Sequence, residues 1–374
     1  MRKWQYLVLI LTVTGIILLS NVITLFSSPA SQRVPVDIEL PRGKAVVSDT
    51  AVTLRFVAVG DLMLGTNYPS PSSLPSDVNS LLQPAEQLIR SADVSFGNAE
   101  GCFLNAGGTP KGTGPNVYNF RQPTAYAEVL KTAGFDLLSV ANNHANDFGL
   151  VGIESTTQLL TKLGFTFAGT PTYPYSIFKV NGIRVGLIAF APNAGCVPLN
   201  DLAKAVELTR KTKELCDILF VSIHAGAEGA GAIHVPRRNE FFFRENRGNV
   251  YQFAHAVIDA GANMVIGHGP HVPRALELYK KSLIAYSLGN FCTYAKFNLK
   301  SYCGYAPLLE FTVTNKGEFL SGQVHSFLQL GEGGPVGDST NSAAMLIKKL
   351  SAEDFPESPL VFDENGAFRS LSRR

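Results

Sequence analysis

Asp61, Glu100, His144, His224 and His271 each follow a short apolar run, and side chains of these types hold divalent cations. The runs end in Val59-Gly60-Asp61, in Phe96-Gly97-Asn98-Ala99-Glu100, and in Ala141-Asn142-Asn143-His144 with Asp147 close behind. Two more end in Ile223-His224-Ala225-Gly226-Ala227-Glu228 and in Gly267-His268-Gly269-Pro270-His271. Carboxylates, amide oxygens and imidazoles without a thiolate suit Mn, Fe or Zn rather than soft metals. One or two such ions polarise a phosphoryl or carbonyl oxygen and activate water. No G-x-S-x-G and no G-x-x-x-x-G-K-[ST] is present, so a serine hydrolase and a phosphate-loop nucleotide enzyme are both disfavoured.

Elements able to bring these residues together are visible in the pattern. The runs at 53–60, 93–98, 136–142, 183–190, 217–224 and 263–268 are short, continuous and rich in β-branched residues, as in strands buried on both faces. Between them, 83–91, 124–133, 151–163 and 201–215 have helical periodicity. Val250, Phe253, Ala254, Val257 and Ile258 mark a further apolar helical stripe. Strands alternating with helices predict one α/β domain, and ligands of open α/β sheets bind beyond the carboxyl ends of the strands. Runs 282–290, 307–313 and 319–327 come after these without long helices and predict antiparallel strands. The loops 66–80 and 331–342 are either solvated connections or rims of the site.

The 374 residues carry 32 Lys+Arg against 30 Asp+Glu, a net charge of +2 that offers no basic field for nucleic acid. Arg2 and Lys3 precede an uncharged run from Tyr6 to Phe26, long enough to span a bilayer and oriented to export the remainder of the chain. A cleaved signal peptide is the rival reading, with Ser28-Pro29-Ala30 as its cleavage site. The expected organisation is an anchor or signal at 1–26, a stalk at 27–52, a domain at 53–350 and a tail at 351–374. Of the five cysteines, Cys292 and Cys303 flank one polar loop, and a bridge between them is expected in an oxidising compartment.

The ordered series GDLML (60–64), GNAE (97–100), YNFRQP (118–123), AGFDLLSVANNHANDFG (133–149), HAGAE (224–228), GANMVIGHGPHV (261–272) and AYSLGNF (285–291) resembles the CapA family of capsule and poly-gamma-glutamate synthesis proteins. The resemblance covers about 53–350 and implies a calcineurin-like metallophosphoesterase fold, an αββα sandwich of two sheets with the site at their edge. It also implies metal-ligand positions at Asp61, Glu100, Asn143, His144, His224 and His271. Two departures stand out. Met63 occupies the third position of the wider D-x-H pattern, and Gly269 stands where the family usually places the first His of H-P-H-V. His268 is then expected to reach in from one residue earlier. Arg274, near the usual position of a Gln, either holds a carboxylate or phosphate or faces solvent.

The resemblance implies two functions. One is a membrane-anchored component in synthesis or export of an anionic capsular polymer, acting through a polymer- or partner-binding crevice beside membrane synthase partners. The other is a metal-dependent hydrolase of a phosphoester or polymer amide. In the second, Asn143, His144 and Arg274 would act on the reacting group, while Asn98 and Glu228 would contact substrate.

Overall fold

The computed structural model describes residues 38–39, 52–114 and 117–371. The apolar run 6–26 and nearly all of the expected stalk lie outside them. Among the described residues no helix is long and apolar enough to cross a membrane.

The fold is mixed α/β, built on two large sheets. In the first, Tyr175–Val180, Ile183–Phe190, Ile218–His224, Met264–His268, Ser282–Ala285 and Leu276–Tyr279 lie side by side in that order, with Ile38–Glu39 on the outer edge. The second carries Thr53–Met63 at its centre. Val94–Ala99, Leu137–Ser139 and Thr166–Ala168 continue in parallel on one side, and Tyr305–Thr314 and Phe319–Gln329 are antiparallel on the other.

Alternation along each strand explains the layering. Phe56 and Phe96 of the second sheet point inward to Phe220 of the first, with ring centroids 6.2 and 4.7 Å away. Their neighbour Val57 points outward to Ile89 and Leu130 on helices Gln83–Ser91 and Ala125–Ala133. In the first sheet Leu187 joins the core between the sheets, and Ile188 packs outward with Ala205, Phe253 and Val257 of helices Leu202–Lys213 and Val250–Asp259. The central parallel strands are therefore apolar on both faces, whereas Tyr175–Val180 and the end of Tyr305–Thr314 alternate between buried and part-exposed residues.

Three expectations need correction. Residues 282–290 do not form one strand. Ser282–Ala285 pairs with Met264–His268 in the first sheet, and Asn290–Thr293 pairs with Thr53–Met63 in the second. Gly289, at φ +62°, turns the chain from one sheet to the other. The domain also does not end at 350: helix Ser342–Asp354 and strands Leu360–Phe362 and Ala367–Ser370 continue it, the last pairing with Phe319–Gln329. Finally, Cys292 and Cys303 are not bridged. Both thiols are buried, Cys292 within a paired strand and Cys303 in the short helical turn Ser301–Gly304.

Candidate metal centre

Parallel strands place their carboxyl ends on one edge, so both sheets deliver their polar residues to the same place. Asp61 lies opposite Asn98 and Asn290 in strand register, and His224 lies opposite His268. Asn142 ties the next loop in: its amide donates to Asn98 Oδ1 (3.2 Å) and to the Ala99 carbonyl (3.0 Å). Its oxygen accepts from the His144 backbone N–H at 3.1 Å.

The two halves meet at Asp61. His271 Nδ1 is 2.9 Å from Asp61 Oδ2, and His268 Nδ1 is 3.3 Å and His224 Nδ1 3.7 Å from Oδ1. Glu100 lies beyond, with Oε1 3.7 Å from His271 Nε2 and 3.9 Å from His144 Nε2. His271 has φ +57°, an uncommon conformation for a residue with a side chain, and the Asn290 amide holds its carbonyl at 3.3 Å.

Several buried polar atoms here have no protein partner: both carboxylate oxygens of Glu100, Asn143 Oδ1 and His224 Nε2. An unpaired buried polar atom costs about 1–3 kcal/mol, more when charged. Such atoms rarely gather unless something else satisfies them. Asp61, His224 and His268 form one set of donors within 4.8 Å of each other, and Glu100, His224 and His271 form a second. The donor chemistry and the orphaned atoms both fit a divalent cation.

The electrostatics of the metal-free site point the same way. Burial disfavours the Asp61 carboxylate, but hydrogen bonds from His268 and His271 outweigh it and hold its pKa well below the ordinary range. Burial pushes Glu100 well above its ordinary value, and the charge of Asp61 adds to the effect. Burial opposes protonation of His271, yet Glu100 and the bond to Asp61 raise it to about 10. His271 thus serves as the resident cation for carboxylates that a metal ion would otherwise neutralise.

His144 is set differently. Its Nδ1 is 2.7 Å from Asp147 Oδ2, which also accepts the Phe120 N–H at 2.6 Å, and Phe120 stacks on the imidazole with centroids 4.0 Å apart. With Nδ1–H donating to Asp147, Nε2 faces Glu100 and the cleft. Lys111 pairs with Asp147 at 2.6 Å. Burial lowers the His144 pKa, and Asp147 works against that. The cleft above holds about 730 Å³ and is lined by Lys111, Tyr118, Asn143, His144, Glu228 and Arg247, among others.

Of the residues singled out in the sequence, Asp61, Glu100, His144, His224, His268 and His271 converge, and Asn143 lines the cleft above them with its Oδ1 buried and unpartnered. Two, Arg274 and Asn98, do something else, while Glu228 stays at the cleft. Arg274 neither faces solvent nor reaches the centre; its guanidinium is buried against Glu240 at 2.9 and 2.7 Å. Asn98 does not face substrate space either, because its buried amide donates to Asp61 Oδ1 at 2.8 Å. Glu228 lines the cleft, with Oε1 held by Arg247. Sequence reasoning missed Ser222, Asn290 and Lys111. Ser222 was findable, since it sits two residues before His224 on the same strand face and meets His268 Nε2 at 2.9 Å. Lys111, in a Gly-rich loop, carries no local signal.

The stretch 55–295, which contains every converging donor, matches the family model described as bacterial capsule synthesis protein PGA_cap. The chain belongs to this family. Two curated relatives carry PGA or capsule biosynthesis names. PGA biosynthesis protein CapA of Bacillus subtilis is 27% identical over 281 residues, 68% of this chain and 66% of the relative. Capsule biosynthesis protein CapA of Bacillus anthracis is 25% identical over 259 residues, 64% and 59% respectively. The chain thus spans under two thirds of the length of these two relatives. Among solved structures, a hypothetical protein from Thermus thermophilus is similar at 17% identity and TM-score 0.45, covering 74% of this chain and all of that one. A 5'-nucleotidase precursor from the same organism is similar at 14% identity and TM-score 0.42, covering 80% and 58%. Likenesses at this level assign no chemistry to a PGA_cap chain.

Proposed function

We propose that this protein takes part in the synthesis or export of an anionic capsular polymer, and that a divalent-cation centre at the floor of its cleft engages the polymer or a synthase partner. The observation that carries the reading is the convergence of Glu100 and His224, each with a buried unpartnered donor atom, on one edge of a chain from a capsule-synthesis family. Asp61, Glu100, Asn143, His224 and His271 would hold the ion, the finer expectation being a metallophosphoesterase-type pair of Mn, Fe or Zn. When bound, such an ion attracts oxyanions and polarises a phosphoryl or carbonyl oxygen.

The protein's own groups do the rest. Asn98 and Asn142 fix Asp61 and the His144 loop, and Asp147 orients His144 so that Nε2 is directed to the cleft. That orientation supports a second reading, a hydrolase, because an imidazole backed by a buried carboxylate can hold or move a proton at Nε2. The 6–26 run is proposed to anchor the domain outside the cytoplasm, on the strength of its length and basic flank. The test is equilibrium binding of a gamma-linked glutamate oligomer to the metal-loaded protein, to the chelator-treated protein and to Asp61→Ala. Binding lost with the metal supports the first reading. Turnover of the oligomer or of a phosphoester, lost in His144→Ala, favours the second.

A further inference from the structure

Glu228 stands at the mouth of the centre on a loop that the rest of the fold pins in place. Ala225 N–H donates to the His268 carbonyl at 3.1 Å, and Gly229 N–H donates to the Pro270 carbonyl at 2.9 Å. The buried Arg274–Glu240 pair braces the same loop: Glu240 accepts the Ala227 N–H at 3.0 Å, and Arg274 donates to the Ala227 carbonyl at 3.3 Å. The loop can lie this close only because residue 269 has no side chain. A Cβ on Gly269, at φ +116°, would stand 2.8 Å from Ala225 N. Gly269 and Arg274, which looked like unrelated departures in the sequence, therefore both shape the segment that carries Glu228.

Glu228 also has the right electrostatic setting. Its Oε1 is held by Arg247, a guanidinium almost fully buried, while Oε2 lies 3.9 Å from His271 Nε2. Glu100 Oε1 approaches that same nitrogen at 3.7 Å. Ligands held at about 2.0–2.2 Å from one ion stand no more than about 4.4 Å apart, so both approaches are within the span of a shared coordination sphere. Glu100 is fully buried with both oxygens unpartnered, so the cluster is aimed at a ligand rather than gathered on a solvated face. Glu245 offers a contrast: it pairs with Arg247 at 3.1 Å but is 57% exposed.

We infer that Glu228 is a further carboxylate ligand of the cation centre, presented by a loop that fills the space left by Gly269 and anchored from behind by Arg247. The inference rests on the cation-centre reading and assigns to that centre a donor outside the resemblance-derived ligand set. It is tested by calorimetric titration of the full chain, stripped of metal, with Mn and with Zn. Wild type should bind. Glu228→Gln should bind at least about tenfold more weakly, the scale at which even outer-shell groups act on metal sites. Glu245→Gln should match wild type. The melting of metal-free Glu228→Gln reports whether the variant is folded; if it is not, Glu228→Asp, one methylene shorter, replaces it and should also bind more weakly. Equal affinity in wild type and a folded Glu228 variant overturns the inference and leaves the centre intact. Absence of binding in wild type overturns the centre and the inference with it.

Discussion

The backbone N–H of Asp61 donates to the Gly289 carbonyl at 2.9 Å, and a Cβ on Gly60 would sit 1.8 Å from that same oxygen. The strand that carries the central carboxylate thus lies directly against the turn that crosses between the sheets. Gly60→Ala should push the two apart and cost about 3 kcal/mol, at the upper end for overpacking. Denaturant unfolding measures it, and a loss below about 1 kcal/mol would show that the turn yields.

His224 and His268 should differ in their effect on metal. Their Nδ1 atoms are 2.9 Å apart and His268 Nε2 meets Ser222, so once a bound ion takes the place of the His268 Nδ1 proton that faces Asp61, protons on His224 Nδ1 and His268 Nε2 leave the His224 Nε2 lone pair for the ion. His268 then backs a ligand rather than being one. His224→Ala should abolish binding, and His268→Gln should weaken it about 10–100-fold. Equal losses in titration would make His268 a ligand as well.

Proton release should accompany metal uptake. In the metal-free protein His271 sits at about 10 and so holds a proton near neutrality that a cation must displace, and the upward shift of Glu100 works in the same direction. Metal affinity should therefore rise with pH. Calorimetry in buffers of different ionisation enthalpy reads the released protons directly, and a heat independent of buffer would contradict the assignment.

The same groups set the stability of the metal-free fold. His271 binds its proton more tightly folded than unfolded, so its contribution is complete below about pH 6.5 and disappears as pH rises toward 10. Glu100, also raised, acts in the same direction above its ordinary 4.5. Asp61, depressed, contributes above its ordinary 3.8 and fails only in acid. Melting of the metal-free protein should peak in mildly acidic solution and fall toward pH 10, and loading with metal should flatten that decline. A melting temperature that climbs between pH 6.5 and 10 without metal would be inconsistent with this.

All five cysteines are buried free thiols, and burial raises Cys102 and Cys196 to about 12. Native protein prepared without reductant should resist alkylation, then yield five reactive thiols once unfolded. A Cys292–Cys303 bridge found by mass mapping would overturn this.

The sequence made the strands and the convergent donors readable for one reason. Parallel strands buried on both faces are continuous apolar runs, and the first polar residue after each marks the sheet edge. Pairing across long separations was not readable. Arg274 finds Glu240 some 34 residues away, so its side chain looked available in the sequence and is buried in the fold. Asn98 lies two residues before Glu100 at the end of its strand, and only the register shows that it meets Asp61 rather than a ligand. The single run 282–290 concealed a crossing between sheets, because a glycine turn inside an apolar segment leaves the hydrophobic pattern unbroken. The closing strands Leu360–Phe362 and Ala367–Ser370 are short and only partly buried, too weak a pattern to stand out.

The central claim is that these strand ends hold a divalent ion. The most direct measurement is the metal content of the purified full chain, taken by elemental mass spectrometry before any ion is added, beside Glu100→Gln. One or two equivalents of Mn, Fe or Zn in wild type, with at least one equivalent lost in the variant, is the predicted result. A wild-type chain that carries no such ion, and takes up none from an excess of each, would contradict it.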